Sequence, residues 1–171
     1  MEQKYSSAAT SLSVVNKVYT QYQYKRGSII LDYGGGKYDK NVHYMLEKYN
    51  SKVLVYDPFN RSVEHNKKVM LKATNLAFTK GIDYIVCSNV LNVIAESSVI
   101  YEVLRNIRML SGVDTEVLIT IYEGDGTGVG KKTTKGWQRN EKTANYLDIC
   151  RYYFDSVEQK RGIIRCKVNG C

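Results

Sequence analysis

Apolar residues along the chain fall into short runs that end at polar or glycine residues, a pattern typical of strands buried in a parallel sheet. The first run covers 28–31 and leads into Asp32 and the glycines at 34–36. A second run, within 51–57, ends at Asp57. We therefore expect two neighbouring buried strands, the first followed by a sharp glycine turn.

Between these runs, apolar residues recur at the spacing of amphipathic helices. After the glycines, Asp39 stands at the N-cap position of a helix whose apolar stripe is Val42, Met45, Leu46 and Tyr49. Four further helices are predicted by the same periodicity: from Thr10 or Ser11 to Tyr22, with Leu12, Val15 and Tyr19 on one face; 61–71; from Glu96 or Ser97 to Leu110; and 141–153.

The end of the chain predicts a β-hairpin, in which 157–160 and 163–167 pair across Arg161 and Gly162. No clear third strand follows the second helix, and we expect a short one near 69–76. Strands alternating with helices predict an α/β, Rossmann-like fold: a mostly parallel central sheet with helices on both faces and a C-terminal antiparallel hairpin. The length favours one domain, 1–171, that begins with a helical segment at 1–27.

A strand, a glycine turn and a helix together form the ligand crevice of open α/β sheets, because glycine lets the backbone approach a ligand closely. The alternative is a turn that merely joins two packed elements. Asp57 follows the glycines by about 20 residues, as expected for an acid that binds ribose hydroxyls. The glycine turn matches the motif of nicotinamide- and flavin-binding proteins less well, since Asp39 occupies the position of the third glycine of that motif. Asp32 suits a positively charged ligand.

Four segments resemble motifs of one family, the class I S-adenosylmethionine-dependent methyltransferases. The stretch 30–36 resembles the first motif and 55–59 the second; 83–94 is similar to the fourth-strand segment and 117–123 to the fifth strand. The sequences at 32–36, 56–60 and 88–94 also resemble those of small uncharacterised methyltransferases of bacteriophages and bacteria. The resemblance to that subgroup implies no particular acceptor. The resemblance implies an enzyme with S-adenosyl-L-methionine as its cofactor.

The resemblance also implies which residues contact the cofactor. The methionine end would lie against the glycine turn, the ribose at Asp57 and the adenine beside Pro58 and Phe59, with the loop after the fourth strand beneath. The implied set is Asp32, Tyr33, Gly34, Gly35, Gly36, Asp57, Pro58, Phe59, Ser88, Asn89 and Val90.

Catalytic candidates are polar residues at strand ends that would face the methyl group. A sulfonium is already an activated donor, so a general base is needed only where the acceptor must lose a proton. The candidates are Asn89, Asn92, Tyr122, Glu123 and Asp125. Each has a structural alternative: Asn89 could cap a turn, Asn92 could lie on a helix surface and Glu123 could be solvated.

The segment 123–130 alternates glycine with other residues directly after the predicted fifth strand. We expect it to begin a flexible active-site loop, 123–140, and to act as a lid that orders on substrate binding. A phosphate-cradling nest and an inert loop are the alternatives.

Basic residues follow this segment, in a chain whose formal net charge is +8. Cations around an aromatic ring could bind phosphates and stack a base of RNA or DNA. The candidates for substrate binding are Lys131, Lys135, Trp137 and Arg139, with Lys132 and Lys142 nearby. The alternatives are a solvated surface and a tryptophan packed under its loop.

Several function classes are disfavoured. The chain lacks the Pro-Pro motif of adenine aminomethyltransferases at the predicted fourth strand, and Cys87 follows Val86 rather than a proline. The spacing of its four cysteines and two histidines predicts neither disulfides nor a metal site, and we expect a cytoplasmic protein without a membrane segment or signal peptide. A nucleic-acid methyltransferase, a small-molecule or protein methyltransferase, and a protein that binds S-adenosylmethionine without transfer remain open.

Overall fold

Six strands form the central sheet of the computed structural model, which describes residues 14–134 and 136–170. The chain has eight strands in its described part: β1 (Ile29–Tyr33), β2 (Lys52–Tyr56), β3 (Tyr84–Ser88), β4 (Glu116–Thr120), β5 (Lys131–Thr133), β6 (Gly136–Gln138), β7 (Ser156–Lys160) and β8 (Ile163–Lys167). The order in the central sheet is β2-β1-β3-β4-β8-β7; β1–β4 are parallel to one another, and β8 is antiparallel to both β4 and β7. A separate antiparallel pair is formed by β5 and β6.

Helices cover both faces of this sheet. The α-helices are α1 (Lys17–Gln21), α2 (Lys40–Tyr49), α3 (Val63–Ala77), α4 (Ser97–Leu110) and α5 (Leu147–Tyr153), with 3₁₀ turns at Leu91–Val93 and Thr143–Tyr146. Alternate side chains of β1 enter different cores, since Ile30 packs in a cluster with residues of α1 and α2, and Leu31 in a cluster with residues of α3, α4 and α5. The predicted fold class is confirmed.

Strand order reverses at β1, which lies between β2 on one side and β3 on the other. In open α/β sheets, ligands bind at the carboxyl ends of the strands where such a reversal occurs. The glycine turn after β1 and the loop after β3 border this point.

The strand expected near 69–76 was wrong, because these residues belong to α3. Val69 and Ala73 are spaced by one helical turn and are both buried, and the intervening Met, Leu and Lys residues are good helix formers. Ser62 begins the helix by accepting a hydrogen bond from the His65 N–H. The chain then enters β3 with no strand between, so β2 lies at one edge of the sheet and β7 at the other.

The remaining helix predictions differ from the structure mainly at their ends. The predicted helix at 141–153 starts as a 3₁₀ turn before α5, and α4 begins at Ser97 as expected. Thr10, Ser11 and Leu12 lie outside the described residues, within which α1 is a single short helix. Asp39 occupies the N-cap position of α2 without a capping hydrogen bond, because its carboxylate instead pairs with Arg61 at 2.7 Å.

The C-terminal hairpin prediction is confirmed by the pairing of β7 with β8. Arg161 and Gly162 form its turn with φ angles of 53° and 76°. Two consecutive positive φ angles match the twist of a two-residue hairpin turn. Among the described residues, no helix has the length and apolarity needed to cross a membrane.

Candidate active site

The glycine turn after β1 is fastened to the end of β2. The Gly34 N–H donates to the Tyr56 carbonyl at 2.7 Å, and Gly34 and Gly36 adopt φ angles of 86° and 78°. These left-handed angles favour glycine, because other residues are strained there. The sequence pattern therefore predicted the turn correctly.

Two of the glycines lie so close to neighbouring side chains that no Cβ could be accommodated. A Cβ on Gly34 would lie 2.3 Å from Cγ2 of Val90, in the loop after β3. A Cβ on Gly35 would lie 2.7 Å from the Asp32 carboxylate and 2.8 Å from Cγ1 of Val55. Bare backbone is thus brought to the point where the strand order reverses.

The Asp57 carboxylate binds this turn to the segment that follows β2. One oxygen accepts from the Gly36 N–H at 2.9 Å; the other accepts from the N–H groups of Phe59 and Asn60 at 3.0 and 2.9 Å. The Asn60 amide donates to both oxygens at 3.1 Å. Asp57 therefore has a structural role that its spacing from the glycines did not reveal.

A second asparagine fixes the backbone of Asp57. Asn66, on α3, accepts from the Asp57 N–H at 3.0 Å and donates to its carbonyl at 2.9 Å. Neither Asn60 nor Asn66 is among the site residues expected from the sequence. The Asp-Pro-x-Asn pattern at 57–60, typical of a side-chain-stabilised turn, could have indicated Asn60.

Asp32 is buried at the end of β1, with 1% of its surface exposed. The Asn41 amide donates to one carboxylate oxygen at 3.3 Å. Burial raises the pKa of Asp32 to about 6, and the charge of Asp57 adds to the rise, whereas Tyr19, Asn41 and Arg61 lower it. Asp32 is therefore a carboxylate that loses its proton near neutral pH.

Residues after β3 form the opposite wall of the crevice. Asn89 is exposed, adopts a φ of 57° and donates its N–H to the Thr120 carbonyl at 2.9 Å. The Ser88 hydroxyl lies 2.9 Å from that of Thr120, which ties β3 to β4. The backbone of Asn89 thus forms a tight turn in a strained, left-handed conformation. The Asn89 side chain is exposed and can contact a ligand.

Not every implied cofactor residue reaches the crevice by its side chain. Tyr33 lies in the core on the α3–α5 face, where its ring is 4.8 Å from that of Tyr56. Phe59 is 39% exposed beside the Asp57 turn, as an adenine contact requires. Only the backbone of Tyr33 can border the ligand.

Asn92 holds the segment after β4 in place. Its amide donates to Gln138 at 3.1 Å and accepts from the Tyr122 N–H at 3.4 Å, and Gln138 donates in turn to the Tyr122 carbonyl at 2.7 Å. Asn92 is 1% exposed. Both ends of its amide are engaged, which favours an anchoring role, and its burial contradicts the alternative of an exposed helix surface.

The two candidate carboxylates after β4 are also engaged. Glu123 accepts from the Thr143 N–H at 2.8 Å, and this hydrogen bond lowers its pKa. Asp125 pairs with Lys131 at 2.8 Å and accepts from Thr127, and these contacts lower its pKa to about 2. A general base works best with a pKa near the operating pH, so neither carboxylate is poised for that role.

The segment 123–140 contains regular structure, the β5–β6 pair. Asn140 closes it by donating to the Val129 carbonyl at 2.8 Å and accepting from the Gly128 N–H at 2.7 Å. Arg139 donates to the carbonyls of Ile94 and Ala95 at 3.2 and 3.1 Å and pairs with Glu141 at 2.9 Å. Its guanidinium therefore fastens the segment to the loop after β3, while Lys135 lies outside the described residues.

Trp137 packs against its own loop. A Cβ on Gly130 would lie 2.4 Å from Cζ2 of the indole ring. The ring nitrogen is buried and has no hydrogen-bond partner among the described residues. This arrangement corresponds to the alternative in which the tryptophan packs under the loop.

The described residues contain neither an exposed cysteine nor a cluster of metal-ligating side chains. Cys87 is buried in β3, and burial raises the pKa of its thiol well above the ordinary value. Residues 14–134 and 136–170 hold no cluster of three histidine, cysteine or acidic side chains suited to a metal ion. Cys87 is thus a strand residue of the core, with no nucleophilic character.

Comparison with protein-family models and with curated protein sequences finds no match. Solved structures do match. The 1,6-didemethyltoxoflavin-N1-methyltransferase of Burkholderia thailandensis, determined with S-adenosylhomocysteine, has a TM-score of 0.60 at 15% identity, over 85% of this chain and 72% of that enzyme.

Two further methyltransferases have the same fold. Human N-acetylserotonin methyltransferase in complex with S-adenosylmethionine gives a TM-score of 0.60 at 15% identity, over 90% of this chain and 51% of that one. The sugar N-methyltransferase KedS8 from Streptoalloteichus gives 0.54 at 10% identity, over 84% and 81%. The chain has the fold of class I S-adenosylmethionine-dependent methyltransferases.

Proposed function

We propose that the protein binds S-adenosylmethionine in the crevice between the loops after β1 and β3 and transfers its methyl group to a small-molecule acceptor. The observation that carries this proposal is the approach of Gly34 to Val90, where a Cβ would lie 2.3 Å from the valine. This contact lies where the strand order reverses, beside the buried carboxylate of Asp32. The shared fold and the motif resemblance support it.

The residues present suit the two ends of this cofactor. Asp32, buried and ionisable near neutral pH, suits the positively charged methionine end. Asp57 and the exposed Phe59 suit the ribose and the adenine. Because Asp57 already accepts several hydrogen bonds, ribose hydroxyls would replace the bifurcated contact from Asn60 rather than fill a free position.

When bound, S-adenosylmethionine supplies a methyl group already activated by a sulfonium. This chain's residues then have to hold the acceptor in line and exclude water. Asn92, Glu123 and Asp125 are engaged in holding the 123–140 segment, which leaves Asn89 and Tyr122 as exposed polar side chains beside the crevice. We propose that these two orient the acceptor.

A small-molecule acceptor is favoured over a nucleic acid because the basic segment is partly engaged in internal contacts. Arg139 binds backbone carbonyls, Lys131 pairs with Asp125, and Trp137 packs on Gly130. The similar enzymes from Burkholderia and Streptoalloteichus methylate, by their names, 1,6-didemethyltoxoflavin and a sugar.

Binding and transfer are tested separately. In isothermal titration calorimetry, we expect micromolar binding of S-adenosylmethionine and S-adenosylhomocysteine and little response to NAD; binding of NAD alone would overturn the cofactor assignment. A lysate incubated with methyl-labelled S-adenosylmethionine is then split into metabolites, protein, DNA and RNA. We expect label among the metabolites. Label in nucleic acid alone would contradict the acceptor class, and binding without label would indicate a protein that only binds the cofactor.

A further inference from the structure

The outer face of α3 carries three exposed apolar side chains in one line, Val63, Leu71 and Phe78. The line extends from the first residue of the helix to its C-cap, over about 22 Å, and the spacing keeps the three side chains on one side of the helix. Their exposed fractions are 63%, 66% and 85%. Single exposed apolar side chains are common, but an aligned set on one face indicates a surface that a partner covers.

Lysines accompany this line and lack acidic partners. Those on α3 or beside it are Lys52, Lys67, Lys68, Lys72 and Lys80, all exposed. None of them forms an ion pair within residues 14–134 and 136–170. The pKa of Lys72 is lowered because its ammonium group lies beside that of Lys52, and Glu64 is the only acid of α3. The face therefore has an excess of positive charge that an anionic partner would complement.

The shape of this face suits a flat partner better than a peptide or a second copy of the chain. A hollow of about 300 Å³ lies beside Leu71, but its lining residues all belong to α3 and the turn after it. A peptide helix binds in an apolar groove, which needs walls on both sides. A two-fold contact between copies would place this face against itself and bring like charges together.

The chemistry of the face also separates two kinds of polyanion. Phosphates of a nucleic acid would match the lysines, but Val63 and Leu71 have no ring on which a base could stack. A bilayer with anionic lipids matches both parts, because interfacial helices combine apolar burial with attraction to charged head groups. Such binding needs no helix that spans the membrane.

We propose that the outer face of α3 binds an anionic membrane surface, with Leu71 and Phe78 entering the lipid interface and the lysines contacting the head groups. The opposite face of α3, with Val69 and Ala73, is buried against the sheet and cannot take part. Binding therefore depends on few apolar side chains and requires negatively charged lipid. The proposal does not rest on methyl transfer.

Sedimentation with vesicles tests the proposal. Vesicles of equal parts phosphatidylglycerol and phosphatidylcholine are compared with vesicles of phosphatidylcholine alone, at low and at physiological salt. The apolar variant combines Leu71→Gln with Phe78→Gln, since glutamine keeps a helix. Its matched control combines Met109→Gln with Tyr152→Gln, at positions on α4 and α5 that are 73% and 78% exposed.

A second pair of variants tests the charges. The lysine variant of α3 combines Lys67→Gln, Lys68→Gln and Lys72→Gln. Its matched control removes the same charge from exposed positions elsewhere in the chain, by Lys17→Gln, Lys25→Gln and Lys160→Gln. The affinity of every variant for S-adenosylhomocysteine is measured by calorimetry, and its folding by thermal unfolding.

We expect the wild type to sediment with the anionic vesicles alone, and less at physiological salt. The lysine variant should bind about fivefold more weakly for each charge removed, and the apolar variant should bind more weakly at both salt concentrations. Both controls should bind vesicles as the wild type does. Affinity for S-adenosylhomocysteine should be the same in all of them.

Absence of wild-type binding to anionic vesicles at low salt would overturn the proposal, whatever the variants do. Equal losses in the lysine variant and its control would also overturn it, because net charge rather than this face would then govern binding. An apolar variant that binds vesicles as the wild type does, with duplex DNA bound through the same lysines, would assign the face to nucleic acid instead. The proposed function is unaffected by these outcomes, since cofactor binding is measured separately.

Discussion

The side chain of Val90 stands where a Cβ of Gly34 would have to lie, with Cγ2 only 2.3 Å from that position. One residue follows β1 and the other follows β3, so the contact joins the two loops that border the crevice. Position 34 requires glycine for two reasons, its left-handed φ of 86° and the lack of space for a side chain. Substitutions can separate the effects of these two constraints.

Gly34→Ala should destabilise the protein and abolish cofactor binding. Gly81→Ala is the matched control, because Gly81 has a φ of 82° against 86° for Gly34 but nothing within 4 Å of its Cβ position. The control should lose only about 1–2 kcal/mol of unfolding free energy, from backbone strain. Gly34→Ala should lose clearly more in denaturant titrations, and adding Val90→Ala should restore part of the difference. Equal losses for the two alanines would contradict the steric explanation.

Asp57→Ala should weaken cofactor binding and also destabilise the unliganded protein. The spacing of Asp57 from the glycines predicts only a ribose contact, whereas the structure shows hydrogen bonds from Gly36, Phe59 and Asn60. Losing this buried carboxylate should cost roughly 2–3 kcal/mol of unfolding free energy. Asp148→Ala is the control, since its side chain is 94% exposed and its ion pair with Arg151 should contribute under about 1 kcal/mol.

Asp32→Asn should stabilise the unliganded protein at pH 7 while it weakens ligand binding. The folded pKa of Asp32 is raised from 3.8 to about 6, so the folded state binds this proton more tightly than the unfolded state does. Ionised Asp32 therefore costs stability at pH 7, and the cost falls as the pH drops through 6 towards 4. A pKa that rises from 3.8 to about 6 on folding corresponds to about 1–3 kcal/mol of unfolding free energy at pH 7.

This prediction is checked by urea unfolding of both proteins between pH 7 and 5. The advantage of the variant should shrink towards pH 5. The other groups that contribute to the pKa of Asp32 are Tyr19 on α1, Asn41 on α2, and Asp57 and Arg61 beyond β2. A variant less stable than the wild type at pH 7 would show that the carboxylate stabilises the fold.

Glu116 should make the unfolding free energy depend on pH in the opposite sense to Asp32, and at lower pH values. Arg165 pairs with it at 2.5 Å and Lys167 at 2.9 Å, and Tyr22 donates to it. These contacts outweigh its burial and lower the pKa of Glu116 to about 2. Its stabilisation is present above pH 4.5 and is lost as the pH falls towards 2. Glu116→Gln should therefore remove part of the acid-induced loss of stability, which thermal unfolding at pH 5 and pH 3 would reveal.

The parts of the site that local pattern controls could be predicted from the sequence. The acids at the ends of β1 and β2 and the glycine turn depend on residues close in the chain, and all three lie where expected. The third strand could not be placed, because a short, partly apolar segment such as 69–76 suits a strand or one face of a helix equally well. Lys67, Lys68 and Lys72, before and within this segment, favour a helix and were the overlooked signal.

Contacts between residues far apart in sequence could not be predicted. Asn92 meets Gln138 across 46 positions, and Tyr22 meets Glu116 across 94. Neither residue type nor spacing marks such pairs before the strand order is known. For that reason the sequence predicts Asn92 as a catalytic candidate from its position after a strand, and gives no sign of its contact with Gln138.

Asn92→Ala tests which of these two roles is correct. Removing the amide leaves Oε1 of Gln138 without its donor and the Tyr122 N–H without its acceptor, and should cost about 1–3 kcal/mol of unfolding free energy. Amide hydrogen exchange in β5 and β6 should accelerate, because Asn92 holds the strand that carries Gln138. Asn89→Ala is the control: Asn89 is exposed in the same loop, and its loss should leave that exchange unchanged. If Asn92→Ala instead abolished methyl transfer with unchanged exchange and unchanged S-adenosylhomocysteine binding, Asn92 would act on the acceptor directly.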